Sequence, residues 1–171
     1  MKPVANVTVA LLVALAAFSV RGQPTANPEP CSGEVIAVVA AALKHALVDA
    51  RDLPDLLIVE QNDPVHVSDH LWGSECLLGD AVLPASSSRN YALLDRDEAR
   101  DLANQRGEPI VFARAGDVEV VEGEASVWVG ASLRPADGDE RGITCCCGGQ
   151  MFLRREAGAW VFARWGMKAC A

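Results

Sequence analysis

The stretch "TCCCGGQMFLRREAGAWVFARWGMKA", residues 144–169, contains two runs of alternating apolar and polar side chains, separated by "EAG" at residues 156–158. Alternation with a period of two is typical of β-strands, and a three-residue loop with glycine at a position of positive φ joins antiparallel neighbours. The stretch therefore predicts a closing β-hairpin in which Arg155 pairs with Ala159. The core faces predicted for its two strands are Ile143, Cys145, Cys147, Met151 and Leu153, and Val161, Ala163, Trp165 and Met167.

The same period of two begins upstream of this hairpin, at Glu108. Three further runs with strand-like alternation occupy residues 109–115, 117–121 and 124–133. The dipeptide Glu122-Gly123 predicts a tight turn before the third run. An antiparallel meander is therefore predicted for residues 109–169.

Two helices are predicted from their capping signals. The Ser32 side chain can accept hydrogen bonds from the first N–H groups of a helix that ends before Pro54. Asp95 and Glu98 have the spacing of a capping box for a second, shorter helix, which Gly107 closes.

The segment between the helices has the weakest periodicity. Residues 55–64 predict one strand, and residues 65–90 predict irregular chain with short strands. Because one face of an antiparallel sheet has to be covered, the helices are predicted to pack on it. The fold class that follows is α+β, with an N-terminal helix and a second short helix on a curved antiparallel sheet, in a single domain of residues 31–171.

The first 22 residues have the features of a secretory signal peptide. A basic residue, Lys2, precedes an apolar run at residues 9–18 that is shorter than a membrane span, and small residues follow it. A proline-rich spacer occupies residues 23–30, and no second run could span a membrane. We therefore expect a secreted or periplasmic protein. Its 23 acidic and 15 basic residues give a net charge of −8, which argues against nucleic acid as a partner.

The cysteines predict a disulfide framework, because their number is even and the expected compartment is oxidising. In the predicted hairpin register Cys146 opposes Lys168 and lies diagonal to Cys170, so we predict a Cys146–Cys170 bridge. The neighbouring cysteines would face the core, within reach of the remaining two in an order that the sequence leaves open. The six candidates are Cys31, Cys76, Cys145, Cys146, Cys147 and Cys170.

The run "LRREAGAWVF", residues 153–162, resembles the closing hairpin of nuclear transport factor 2-like domains of the SnoaL type. There a strand that ends in arginine, a glycine turn and a tryptophan at the start of the next strand recur. The resemblance covers the last third of the chain. It implies helices under a bent antiparallel sheet, a conical fold able to hold a pocket. No catalytic residue of the family's enzymes matches a position here, so none is carried over.

The remaining candidate motifs predict no catalytic, cofactor-binding or metal-binding residue. His66 and His70 are four apart, which suits zinc on a helix, but the alternation around them favours a strand, where that spacing spans about 13 Å. The consecutive cysteines alternate across a strand and form no Cys-x-x-Cys motif. The serine run at residues 86–88 lacks a nucleophile elbow.

Trp128 marks the one candidate binding face. In residues 124–133 the apolar side chains alternate to one face, which leaves Trp128 on the other among small residues. A tryptophan in such surroundings can contact a small ligand, a protein partner or a second copy of the chain in a homodimer. We therefore expect a non-enzymatic binding or interaction module. The alternative is a small enzyme, which a pocket lined by a paired acid and histidine would favour.

Overall fold

The computed structural model describes residues 28–53, 56, 63–74, 76–86, 88–138 and 146–170. The predicted signal peptide and most of the predicted strand at residues 55–64 lie outside these residues. None of the helices in these residues has the length and hydropathy of a membrane span. The elements are α1 (Gly33–Lys44), β1 (Val65–Ser68), β2 (Tyr91–Leu94), α2 (Arg96–Arg106), β3 (Ile110–Val121), β4 (Glu124–Arg134), β5 (Cys147–Glu156) and β6 (Ala159–Cys170).

The six strands form one mixed sheet in the order β2–β1–β3–β4–β5–β6. Strands β3 to β6 are antiparallel neighbours, which confirms the predicted meander and the α+β class. Strand β1, however, runs parallel to both β2 and β3, so the prediction of a purely antiparallel sheet is wrong. The irregular chain between β1 and β2 is long enough for the crossover that a parallel pair needs.

Helix α1 begins as predicted, with the Ser32 side chain accepting a hydrogen bond from the Val35 N–H at 3.3 Å. It continues into a π-helical turn, His45–Asp49. The helix buries an apolar stripe against one face of the sheet, which we call the inner face. The buried residues of this core include Val38, Val39 and Leu43 of α1, Val65 and Val67 of β1, Ala113 and Ala115 of β3, Val127 and Val129 of β4, and Met151 and Leu153 of β5.

Helix α2 has the predicted capping box, because Asp95 accepts from the Asp97 and Glu98 N–H groups and Glu98 accepts from the Asp95 N–H. Gly107 ends the helix with φ of 66°, as predicted.

The two helices lie on opposite faces of the sheet, so the prediction that both helices pack on one face is wrong. Ala99 and Ala103 of α2 pack against Leu94 and Ile110 in a small cluster separate from the main core. Ile110 and Ala113 are three residues apart on the same strand and therefore point to opposite faces. We call this side of the sheet the outer face. Helix α2 covers one end of it and does not cover the rest.

Strand β3 is one strand where the sequence predicted two. A bulge between Gly116 and Glu119 interrupts the pairing with β4, and Asp117 has φ of 47° there. The predicted tight turn is confirmed: Glu122 and Gly123 have φ of 47° and 87°, the values of a type I′ hairpin.

The closing hairpin is present, but its predicted register is wrong. Ala157 and Gly158 form a two-residue turn with φ of 49° and 85°, and Glu156 pairs with Ala159. Two register shifts along β5 displace the strands further, one between Gly149 and Met151 and one between Phe152 and Leu153. A bulge changes which face each following residue takes. The two-residue turn places Trp160 on the inner face, where it is buried, and the register shifts beyond it leave Met167, predicted to face the core, 80% exposed.

The same shift corrects the predicted disulfide. Cys147 lies directly opposite Cys170 in the ladder and is bridged to it, so the predicted Cys146–Cys170 bridge is wrong. Cys31 and Cys76 are bridged to each other rather than to the triple-cysteine run. Cys146 is also disulfide-bonded.

Candidate functional site

Trp128 lies on the outer face, as the alternation of β4 predicts. Ala125, Val127, Val129 and Ala131 are buried on the inner face. Trp128 projects to the opposite side and is partly exposed.

The Trp128 indole lies across the backbone of two glycines. Gly130 of β4 and Gly148 of β5 are a cross-strand pair, and a Cβ on either would overlap the six-membered ring of Trp128. Neither has positive φ, so both are needed for space rather than for backbone freedom. Gly148, which directly follows the triple-cysteine run, therefore forms part of the surface on which the Trp128 ring packs.

Trp72 comes to the same place from the irregular chain after β1. Its N–H donates to the Ala115 carbonyl at 2.9 Å, and its own carbonyl accepts from the Asp117 N–H at 3.2 Å. A Cβ on Gly116 would lie 2.6 Å from the Trp72 carbonyl oxygen, so this close approach requires glycine. Sequence reasoning missed Trp72, because its segment has no periodicity and the contact depends on a bridge to a distant strand.

The two indoles meet edge to face, with centroids 5.5 Å apart and planes at 66°. The Arg114 guanidinium carbon lies 4.7 Å from the Trp72 ring centroid and 5.0 Å from that of Trp128. Distances below about 6 Å permit a cation–π attraction to each ring. We call these three residues the Trp72–Arg114–Trp128 cluster. Trp72 is its exposed member, with 48% of its surface accessible.

Arg114 is partly buried and has no acidic partner among the described residues. Its Nε is buried without a hydrogen-bond acceptor, and none of the described ion pairs involves it. Burial lowers the pKa of the Arg114 guanidinium from its ordinary value. The cluster therefore presents a cation between two aromatic rings, with no counter-charge from the described chain.

The two candidate histidines lie in an extended segment, as predicted. His66 is on β1, and both of its ring nitrogens are buried without a partner among the described residues. His70 follows the strand, and its Nδ1 lies 2.6 Å from a carboxylate oxygen of Asp69. Within the part of the chain that the structure describes, no three metal-ligating side chains come together.

An open groove of about 700 Å³ lies between α1 and the β5–β6 turn. Glu34 and Arg155 form an ion pair of 3.3 Å at this groove. Trp160 also lines it, and the Trp160 Nε1 is buried with no acceptor among the described residues. The described lining contains an acid but no histidine, and the other lining residues are Gly33, Ala37, Ala41, Gly158 and Ala159.

Comparison with known proteins gives no match to a family model, a curated protein or a solved structure.

Proposed function

We propose that the protein is an exported, disulfide-stabilised interaction module, which binds a protein partner through the Trp72–Arg114–Trp128 cluster. The observation that carries the proposal is the 48% exposure of Trp72 on a sheet face, beside a second indole and a guanidinium. Tryptophan and arginine are the residue types that most often dominate the binding energy of protein interfaces.

Export is proposed from the cysteines together with the N-terminal sequence. The Cys31–Cys76 bridge joins segments 45 residues apart, and the Cys147–Cys170 bridge joins the neighbouring strands β5 and β6. Cys31 is only 6% exposed. Such bridges persist mainly in oxidising compartments. The apolar run at residues 9–18, with Lys2 before it, supplies a signal for entering one.

A binding role is preferred to the alternative of a small enzyme in a nuclear transport factor 2-like cone. That alternative needs a pocket in which an acid and a base face a substrate. In the groove beside α1, Glu34 is instead neutralised by Arg155. The resemblance of the closing hairpin to that family stays a proposal about ancestry and adds no chemistry.

The proposal is tested by selecting binders from a displayed library of random linear peptides, with the disulfides intact. Selected peptides are then measured against the wild type, Trp72→Ser and the control Val121→Ser. Val121 is an apolar side chain of similar exposure, 55%, at the tip of the β3–β4 hairpin. We expect Trp72→Ser to weaken binding by about tenfold or more and the control to leave it within about twofold.

Peptides that bind all three proteins equally would overturn the proposal, as would a selection that enriches none. Sedimentation of the protein alone tests a different partner, a second copy of the chain. A dimer that Trp72→Ser dissociates would replace the proposed heterologous partner with a homodimer.

A further inference from the structure

We infer that the partner presents an acidic side chain to Arg114, beside an apolar residue that covers the indoles of Trp72 and Trp128. This inference rests on the proposed function and names the chemistry of the partner.

Arg114 is partly desolvated within the cluster. Its Nε is buried and has no acceptor among the described residues, and two aromatic rings lie within 4.7 and 5.0 Å of its guanidinium carbon. A partly buried cation without a counter-charge is unfavourable, and the aromatic rings offset only part of that cost. The lowered pKa of Arg114 has the same cause. A carboxylate from outside would offset what the described chain leaves uncompensated.

The chain has many acids, but none of those that the structure describes forms an ion pair with this guanidinium. It carries 23 acidic against 15 basic residues. Asp117 and Glu119 follow on the same strand, yet neither forms a described ion pair with Arg114. A Cβ on Gly73 would lie 2.7 Å from an Asp117 carboxylate oxygen, so that acid is directed towards the Gly73 backbone.

The shape of the cluster suits a protein partner better than a small anion. The cluster lies on a sheet face, and the Trp72 ring is its exposed member. Small anions are usually held in concave sites that enclose most of their surface. Two indoles at 66° instead offer an apolar surface around a guanidinium whose planar fork matches a carboxylate. An aspartate or glutamate flanked by an apolar residue, on a protein partner, fits both parts.

The test uses a peptide that was selected on the wild type and depends on Trp72. Its acidic residue is replaced by the corresponding amide, which keeps the shape and removes the charge. We expect the amide peptide to bind the wild type about tenfold more weakly, since charge-assisted pairs are the stronger hydrogen bonds. Arg114→Met should bind the acidic and the amide peptide alike. In the matched control Arg154→Met, which removes an exposed arginine already paired with Glu156, the preference for the acid should persist.

Each outcome separates the two proposals. If Trp72-dependent peptides lose nothing when their acid becomes an amide, the interface stands and the inference about its charge fails. If the acid preference survives in Arg114→Met, another group reads the acid and the inference also fails. The near-ultraviolet circular dichroism of Arg114→Met shows whether the tryptophans keep their packing. In the wild type, chemical shifts of the Trp72 and Trp128 indole N–H groups report contact with the peptide directly.

Discussion

The indole N–H of Trp165 donates a hydrogen bond of 2.6 Å to a carboxylate oxygen of Asp52, a residue 113 positions earlier in the chain. The Lys168 ammonium lies 3.5 Å from the same carboxylate and 4.2 Å from the centroid of the Trp165 ring. Asp52 follows the π-helical turn, whereas Trp165 belongs to edge strand β6. The bond therefore holds the end of the N-terminal helical segment against the last strand.

Asp52→Ala should lower the free energy of unfolding by about 1–2 kcal/mol, because it leaves a partly buried indole N–H without its charged acceptor. The measurement is urea-induced unfolding followed by far-ultraviolet circular dichroism. Asp49→Ala is the matched control, since among the described residues Asp49 forms an ion pair only with the exposed Lys44, and it should cost less than about 0.5 kcal/mol. Equal losses for the two variants would contradict the role given to Trp165.

Gly148→Ala should destabilise the protein by about 1–3 kcal/mol, because the new Cβ overlaps the Trp128 ring. The near-ultraviolet circular dichroism should change as the indole is displaced. In the Trp128→Ala background the same substitution should cost less, since the overlap with the ring is then absent and only a 3.1 Å approach to the Gly130 Cα remains. Gly79→Ala is the control, because a Cβ there meets nothing within 4 Å. An additive double variant would show that Gly148 is needed for another reason.

Ala157→Asn should stabilise the protein by roughly 1 kcal/mol. Ala157 has φ of 49°, a conformation that is unfavourable for alanine and is tolerated by asparagine. The variant also creates Asn-Gly, the preferred pair for a type I′ turn. Thermal unfolding with the disulfides intact measures the gain. A loss of stability would argue against the two-residue turn and in favour of a longer loop.

The free energy of unfolding should fall on mild acidification. Burial lowers the pKa of both His45 and His66 below the ordinary 6.5. For His66, the nearby Arg106 lowers the pKa further, while Asp63 and Glu98 oppose the shift. Below pH 6.5 the unfolded chain therefore takes up these protons more readily than the folded protein. The stabilisation is complete above that pH and declines as the pH drops towards each folded pKa.

Urea unfolding across this range measures the slope, and His66→Asn and His45→Asn should each reduce it. Titration of the two imidazoles by NMR gives the midpoints directly. A His66 midpoint above 6.5 would contradict the assignment.

Non-reducing peptide mapping should find Cys31 joined to Cys76 and Cys147 joined to Cys170. Each bridge should contribute about 2–4 kcal/mol, mainly by restricting the unfolded chain. The bridged cysteines are 45 and 23 residues apart. Loop-closure entropy alone then makes the first bridge worth about 0.6 kcal/mol more than the second. Paired serine variants of each bridge test this order, and a larger loss at Cys147 and Cys170 would show that native contacts dominate.

The elements that the sequence predicts correctly depend on interactions within a few residues. The Ser32 cap, the capping box of Asp95 and Glu98, and the Glu122-Gly123 turn are all of this kind. The outward position of Trp128 is also local, because alternation within one strand is enough to set it.

The features that the sequence did not predict depend on pairing between distant segments. A two-residue turn and two bulges shift the β5–β6 register, and each shift changes which cysteine faces Cys170. Strands β1 and β2 have four residues each, which is too few for a sequence pattern that would indicate their parallel pairing. Trp72 reaches the candidate site through its bridge to Gly116, so of the three cluster residues only Trp128 could be predicted from the sequence.

The Cys147–Cys170 bridge changes how the sheet responds to mechanical force. Strand β6 lies at the sheet edge, and an edge strand pulled from its end normally unzips one hydrogen bond after another. The bridge joins the far end of β6 to β5, while the Ala157–Gly158 turn joins the near end. A force applied through Cys170 is therefore transmitted through a covalent bond to an interior strand. Because both ends of β6 are joined covalently to β5, β6 can leave the sheet only together with β5, which requires the β4–β5 ladder to break as well.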